Sequence, residues 1–480
     1  MELGHTEAEY RAQRLENLKK LEELGYPAFG GAFPRTGTLA EVRAGFAEGR
    51  AVRVAGRMLA RREMGKSVFA DLRDGTDRFQ LFIKKDELGE AAFTAFAHLD
   101  FGDFIGVEGV LFTTRTGEPS VKVTGLTLLA KALRAPPEKW HGLQDVEIRY
   151  RKRYLDLVAN PEVRKVFNQR IAIVRGIRDF LHGRGFQEVE TPMMQPLAGG
   201  AAANPFKTHY DALDCDMYLR IAPELYLKRL LAGGFDKVFE LNRNFRNEGL
   251  SRFHNPEFTM LEIYEAYGDR QTMQALVQDL ICTVAQQVMG TLQVGSKEQP
   301  IALTPPWREV TYRELVCERA GADWFDRSRD AMHARAHELG VSTDPAWGAT
   351  EVTQEVFEKL IEKTLVNPTF VTRLPADLVP LAKATADDPA TVDVFELVIG
   401  GREIAPAYSE LNDPIEQRRR LEAQAGGDAS KLDEDFLGAL EHGMPPAGGM
   451  GIGIDRLVMM LTGAEAIRDV ILFPQMRPQG

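Results

Sequence analysis

Cysteine is scarce: three residues in 480, Cys215, Cys282 and Cys317, lie far apart in the chain. That number and spacing match neither a disulfide framework nor a zinc ligand set, so no zinc is expected and a reducing cytoplasm is the expected compartment. Long apolar runs are missing too. No stretch of about 18 apolar residues occurs, and the charged N-terminus holds no apolar segment followed by a small-residue cleavage site. Membrane insertion and secretion are therefore not expected. An excess of basic charge is also absent: Lys plus Arg number 59 against 70 Asp plus Glu, a net charge of −11. Spread evenly, that balance would argue against a general polyanion binder. Internal repeats are lacking, and 44% apolar with 27% charged residues leaves little room for a chain that is mostly disordered or coiled coil.

The charge is not spread evenly. Residues 1–150 carry 22 basic and 22 acidic side chains, and the remaining residues carry 37 and 48, so the whole −11 falls after residue 150. Within the neutral part, Arg53, Arg57, Arg61, Arg62 and Lys66 face only Glu63, a local track that suits phosphates as well as it suits a solvated strand face.

A length of 480 residues predicts two or three domains. Leu15, Leu18, Leu21 and Leu24, set among charges and closed by Gly25 and Pro27, predict an amphipathic helix within an N-terminal helical segment, residues 1–50. From 51 to 133 the runs VRVAG, SVFADL, RFQLFI, DFIGVEGVLF and VKVTGLTLL, broken by turn residues, predict a small OB-type barrel. Residues 134–150, with Pro136 and Pro137, read as a linker. A large α+β domain is expected over 151–480, opening with a long helix marked by Val163, Val166, Phe167, Ile171, Val174, Ile177 and Leu181.

Two phosphate-cradle look-alikes fail on context. Ala60–Ser67 reads AxxxxGKS, but alternation of Val68, Ala70 and Leu72 with Phe69 and Asp71 predicts a following strand where a P-loop needs a helix. Met64–Ser67 is expected to be a hairpin tip. In Gly448–Gly453, GGMGIG, Arg456 stands where GxGxxG needs its last glycine.

The segments KVFELNRNFRNE and HNPEFTMLEIYEAY carry more. Alternation puts Glu240, Arg246 and Glu248 on one face of the first, and Phe258, Met260, Glu262 and Tyr264 on one face of the second. Paired as a hairpin, they would gather a guanidinium, carboxylates, an aromatic plate and a phenol. That mixture is expensive to bury without a ligand and reads as a pocket, the other reading being a solvated salt-bridge ladder on a half-buried sheet. Glu403 and Glu410, separated by what reads as a Gly- and Pro-marked turn, could hold Mg²⁺ against phosphate oxygens. Arg456 opens an apolar helix directed at the same sheet.

Together these segments resemble the three signature motifs of class II aminoacyl-tRNA synthetases: GFQEVETPMM, FELNRNFRNEGLSRFHNPEFTMLEIYEAY and GGMGIGIDRLVMML, in family order across residues 160–480. The preceding barrel is similar to the anticodon-binding domain of the subgroup charging lysine, aspartate and asparagine. GGAAANPFKTHYDALDCDMYLRIAPELYLKRL and GGREIAPAYSELNDP resemble its bacterial lysine-charging branch, with a departure at Pro406, where a polar or small residue is usual.

The resemblance implies an antiparallel sheet flanked by helices that binds ATP and L-lysine, forms lysyl-adenylate and pyrophosphate, and passes the lysyl group to the lysine tRNA. It implies Arg246 between the lysine carboxylate and the α-phosphate, Phe258 stacked on adenine, Glu248 and His254 on the nucleotide, and Arg456 on the γ-phosphate. Glu403 and Glu410 become Mg²⁺ ligands. Gly200 and Glu224 would meet the α-ammonium, Asn412 the carboxylate, and Glu262, Glu416 and Tyr264 the side-chain ammonium. Arg61, Phe69, Gln80 and Glu118 become anticodon readers, with barrel core the other reading of Phe69, and a homodimer through the first motif is implied. The alternatives are an aspartate- or asparagine-charging relative, a truncated lysyl-transferring paralogue and a catalytically silent RNA-binding homologue.

Overall fold

The computed structural model describes residues 7–65, 67–135, 143–197, 199–201, 203–426, 428 and 432–479. Lys66 and residues 136–142 of the linker, including Pro136 and Pro137, lie outside them. The chain forms two compact units, one of Met1–Gln144 with Tyr154–Ala159, the other of Asp145–Arg153 with Asn160–Gly480.

In the first unit a helix runs over Glu7–Glu23, with Leu21 buried and Arg14 hydrogen-bonded to the carbonyls of Phe101 and Ala132. Five strands close into a barrel in the order β1-β2-β3-β5-β4: β1 (Ala51–Met64), β2 (Ser67–Arg73), β3 (Arg78–Lys84), β4 (Phe104–Thr113) and β5 (Pro119–Ala130). Alternate residues such as Val52, Val54, Val68, Ala70, Leu72, Leu81 and Val121 fill it, as period-two side chains of a small closed barrel must. Met64 pairs with Ser67 and strand β2 follows, so no helix follows the AxxxxGKS segment. A bulge at Leu59 shifts the β1–β2 register by one residue. That shift re-aims every β1 side chain beyond it.

The second unit is built on an eight-stranded sheet. Its strands are β6 (Gln187–Glu188), then, after a small sheet of β7 (Met194–Gln195), β8 (Lys207–Tyr210) and β9 (Cys215–Leu219), the long pair β10 (Lys237–Phe245) and β11 (Glu257–Ala266). A two-stranded ribbon of β12 (Gln293–Gly295) and β13 (Pro300–Ala302) precedes β14 (Arg308–Thr311), β15 (Thr369–Thr372), β16 (Val394–Val398), β17 (Glu403–Ser409) and β18 (Ala447–Gly453). The order is β14-β15-β16-β17-β18-β11-β10-β6, antiparallel except for the outermost pair at each edge. The fold is α+β, an OB barrel followed by an antiparallel sheet flanked by helices.

Helices Pro161–Gly183, Arg270–Met289 and Ile454–Thr462 share a core with one face of this sheet. Proline at the first helical turn starts Pro161–Gly183, where a missing N–H does no harm. Val163, Phe167, Ile173, Ile177 and Leu181 bury its stripe, but Ile171, assigned to that stripe by spacing, is 65% exposed.

Candidate active site

The sheet's other face floors a cavity of about 1120 Å³ in the second unit. β10 and β11 pair antiparallel, with Glu240 opposite Glu262 and Asn244 opposite Phe258, so the hairpin exists in the register that alternation implies. Gly200, Glu224, Arg246, Glu248, His254, Phe258, Glu262, Tyr264, Glu403 and Arg456 all line the cavity.

Around the motif arginines the contacts are polar. The Arg246 guanidinium lies over the Phe258 ring, 5.2 Å from its centroid, a cation–π contact that holds a flat plate beside a fixed charge. Arg456 Nη2 is 3.1 Å from His254 Nε2, and its Nη1 donates to the Glu403 carbonyl at 3.1 Å. Burial and the Arg456 charge lower the His254 pKa, so the ring stays neutral and able to accept. Ser251 Oγ lies 2.8 Å from the other ring nitrogen.

The carboxylate end is drier. Glu262 is 5% exposed, and Tyr264 Oη donates to its Oε2 at 3.1 Å. Burial, then the nearby Glu224 carboxylate, push Glu262 up to about 8. Gly200 has φ +85°, and a Cβ there would stand 3.3 Å from the Cβ atoms of Ala222 and Glu224. Glycine is therefore needed both for the backbone sign and for the close approach.

The Gly-rich strand β18 explains itself here. It lies between β11 and β17, with Gly449 opposite both Tyr264 and Tyr408. A Cβ on Gly449 would collide with Glu410 Oε1 and stand 2.5 Å from the Tyr264 ring, and one on Gly451 would stand 2.8 Å from Met260 Cε. These glycines make room for side chains of the neighbouring strands, not for a phosphate.

Several expected placements do not hold. Glu403 and Glu410 are not joined by a turn, because Glu403–Ser409, Pro406 included, is strand. They sit at opposite ends of it, on the order of 20 Å apart at ~3.3 Å per residue, too far to share one ion. Glu403 instead meets Glu396. Val398 pairs with Glu403 while Leu397 pairs with Ala405, so Ile404 bulges and turns Glu403 onto the face of Glu396 and Pro406. Burial and the charges of Glu403, Glu362 and Glu358 raise Glu396 well above the ordinary carboxylate range. Glu362 Oε1 also accepts from the Glu403 N–H at 2.8 Å.

Glu410 does not line the cavity, and burial raises its carboxyl to about 8 although its Oε2 lies 2.6 Å from the ammonium of Lys228. Asn412 does not line the cavity, since its amide donates to the Met444 carbonyl at 3.3 Å. Glu416 does not either. Hydrogen bonds from Arg419 and Arg420 engage its carboxylate and lower it to about 2. Glu240 is closed off too, in a buried ion pair with Arg220 at 2.6 Å. Lys228, Glu396 and Tyr408 were missed by sequence reasoning. Tyr408 and Glu396 were findable from Pro406 by counting in twos and across the strand pair, and Lys228 follows Glu224 by one helical turn.

On the barrel, Phe69 is half-exposed and outside the core, 5.1 Å from Phe82, which is 5.5 Å from Phe112. Gln80 joins their surroundings through Ser120 Oγ at 2.9 Å, and Glu118 stands partly exposed at the start of β5, its N–H donating to Thr114 Oγ1. Arg61 is the exception. The bulge at Leu59 pairs Arg62 with Phe69 and Arg61 with buried Ala70, and Arg61 reaches the Ala97 carbonyl at 3.2 Å. The basic track does not form as a row, because Arg53 pairs with Glu108 and Arg57 stacks on Phe104.

No helix among the described residues is long and apolar enough to cross a membrane. Residues 145–477 match the model of class II tRNA synthetases (D, K and N), and residues 52–129 match an OB-fold nucleic acid binding domain. Proteins named lysine–tRNA ligase are similar over nearly the whole chain: that of Moorella thermoacetica is 53% identical, covering 98% of this chain and 99% of its own. That of Carboxydothermus hydrogenoformans is 52% identical over 97% of both, and that of Cronobacter sakazakii 49% identical over 97% of this chain and 95% of its own. With the motif arginines, the stacking phenylalanine and the glycine strand all facing one cavity, the chain belongs to the class II tRNA synthetases of the aspartate, lysine and asparagine group, within the lysine–tRNA ligase family.

Proposed function

We propose that the protein activates L-lysine with ATP and transfers the lysyl group to the lysine tRNA. The carrying observation is the buried, carboxylate-rich end of the cavity beside a floor that holds Arg246 and Arg456. Selecting lysine means pairing a desolvated ammonium with carboxylates. Glu262 and Tyr264 receive the side-chain ammonium. Gly200 and Glu224 receive the α-ammonium. An aspartate- or asparagine-charging site would set a cation or amide donors where Glu262 stands.

In activation a lysine carboxylate oxygen attacks the α-phosphorus and pyrophosphate leaves. Arg246 aligns two anions that repel each other and spreads the charge that develops on the phosphorus. Phe258 stacks on adenine, Glu248 and His254 contact the nucleotide, and Arg456 meets the γ-phosphate. In transfer a terminal ribose hydroxyl of tRNA attacks the adenylate carbonyl and AMP leaves.

Mg²⁺ fits Glu396 and Glu403, with Glu362 behind them, because crowded hard oxygens are what a hard dication relieves. When bound, it would neutralise phosphate charge. Among the described residues no cluster of three ligating side chains is preassembled, which suits an ion that keeps waters and phosphate oxygens.

On the barrel, Phe69, Phe82 and Phe112 offer stacking faces for unpaired anticodon bases, flanked by Arg62, Gln80 and Glu118. Exposed Ile171, Leu472 and Phe473 around one groove beside helix Pro161–Gly183 support a homodimer, which light scattering tests. Three free thiols suit a cytoplasmic setting. The decisive measurement is ATP–pyrophosphate exchange. It should require lysine and Mg²⁺, and exchange with aspartate, or with no amino acid, would refute the reading.

A further inference from the structure

Phe258 and Arg456 line the nucleotide end of the cavity from two different elements, β11 and the first turn of helix Ile454–Thr462. The ladder between β11 and β18 ends at the pair Met260 and Gly453, so both residues lie beyond its last rung. A closed ring of three polar groups takes over there. Thr259 follows Phe258, and Asp455 precedes Arg456. Asp455 Oδ2 accepts from the Thr259 N–H at 2.8 Å. Arg170, on helix Pro161–Gly183, closes the ring: its Nη1 donates to Asp455 Oδ1 at 2.6 Å and its Nη2 to Thr259 Oγ1 at 3.1 Å.

Burial stiffens that ring. The side chain of Arg170 is 15% exposed and that of Asp455 3%, and Thr259 is buried. Charge-assisted hydrogen bonds shielded from water are short and hold their geometry. A further bond from Arg170 Nη1 to the Val470 carbonyl, at 2.9 Å, anchors the guanidinium. Arg170 works from behind, since it lines the groove beside helix Pro161–Gly183 and not the cavity. Two nitrogens fixed in one plane meet two acceptors on two elements, a match that a single ammonium cannot copy.

We propose that Arg170 is a positioning residue for ATP: with Asp455 and Thr259 it sets the spacing between the Phe258 ring and the Arg456 guanidinium. The inference rests on the seats of adenine and γ-phosphate proposed above. A ligand that touches both ends reads this spacing, and a ligand that touches one end does not. ATP is of the first kind. AMP, which keeps adenine and the α-phosphate but lacks the other two phosphates, is of the second. Lysine, seated on Glu262, Tyr264, Gly200 and Glu224, meets no member of the ring.

The test uses Arg170→Lys, which keeps a charge beside Asp455 and loses the fork, and Thr259→Val, which removes the hydroxyl and keeps the shape. In ATP–pyrophosphate exchange each should raise the KM for ATP about 5- to 20-fold. The KM for lysine and the inhibition constant of AMP should each move less than ~2-fold. Both substitutions break the same bond between Arg170 and Thr259, so the double variant should exceed the larger single effect by less than ~2-fold. An unchanged KM for ATP, equal rises for ATP and lysine, AMP weakened as much as ATP, or single effects that multiply would each overturn the proposal. Should Arg170→Lys fail to fold by circular dichroism, Thr259→Val decides alone by the same three constants. Wild type without lysine-dependent exchange, or Phe258→Ala with unchanged AMP inhibition, would instead overturn the seats on which the inference rests.

Discussion

Glu262→Gln is the sharpest perturbation of the pocket, because it exchanges one oxygen for an amide, keeps the volume and removes the charge. Glu262 is 5% exposed, so an ammonium paired with it is out of water. Removing one partner of a buried ion pair costs about 3–5 kcal/mol. Part of that is already spent in the native pocket. Glu262 holds its proton up to about 8, so at pH 7 it must ionise before it can pair. One pH unit below that value the penalty is about 1.4 kcal/mol. The net loss is then roughly 2–4 kcal/mol, a ~30- to ~800-fold rise in the KM for lysine. The KM for ATP should stay within about 2-fold, since Arg246, Phe258 and Arg456 are untouched. Exchange kinetics at saturating ATP, then at saturating lysine, measure both. The ionisation penalty adds a second signature, because wild-type KM for lysine should fall from pH 7 to 8.5 and the slope should be shallower in the variant. Equal effects on both substrates, or identical pH slopes, would refute the reasoning.

The ligand-free fold should also lose stability between about pH 5 and pH 8, because Glu262 has its proton in the folded state up to about 8 but would shed it near 4.5 when unfolded. Thermal melts of Glu262→Gln should show a smaller decline over that window. Gly449→Ala sets a methyl group against Glu410 and Tyr264, and overpacking of about 1–3 kcal/mol should lower the Tm and weaken lysine binding together. Glu396→Gln should raise the Mg²⁺ concentration for half-maximal exchange more than Glu410→Gln does, and the reverse order would restore Glu410 as the metal ligand. Phe69→Ala and Arg62→Ala should weaken tRNA charging and leave pyrophosphate exchange intact, whereas Arg61→Ala should change charging less than Arg62→Ala.

Much of the site was legible because the motif residues lie on long, regular pieces of chain. Alternation along β10 and β11 correctly groups Phe258, Met260, Glu262 and Tyr264, and the break from helix pattern after Lys66 rejects the P-loop. The misplacements share a physical cause. A single extra residue, Leu59 in one strand and Ile404 in the other, reverses which face Arg61 and Glu403 take. A bulge leaves almost no mark in sequence, because it is decided by the partner strand's register. Asn412 and Glu416 failed differently. They follow β17, where the Met444 carbonyl engages Asn412 and local arginines engage Glu416.

The glycines of β18 let side chains of the neighbouring strands, Met260, Tyr264 and Glu410, lie over bare backbone. That layer can only be pushed inward from below, since every substitution at Gly449 or Gly451 adds atoms and none removes them. Re-engineering the pocket for a bulkier amino acid would have to begin at lining side chains such as Met260 or Tyr408, whereas narrowing it for a smaller one could begin at β18 itself.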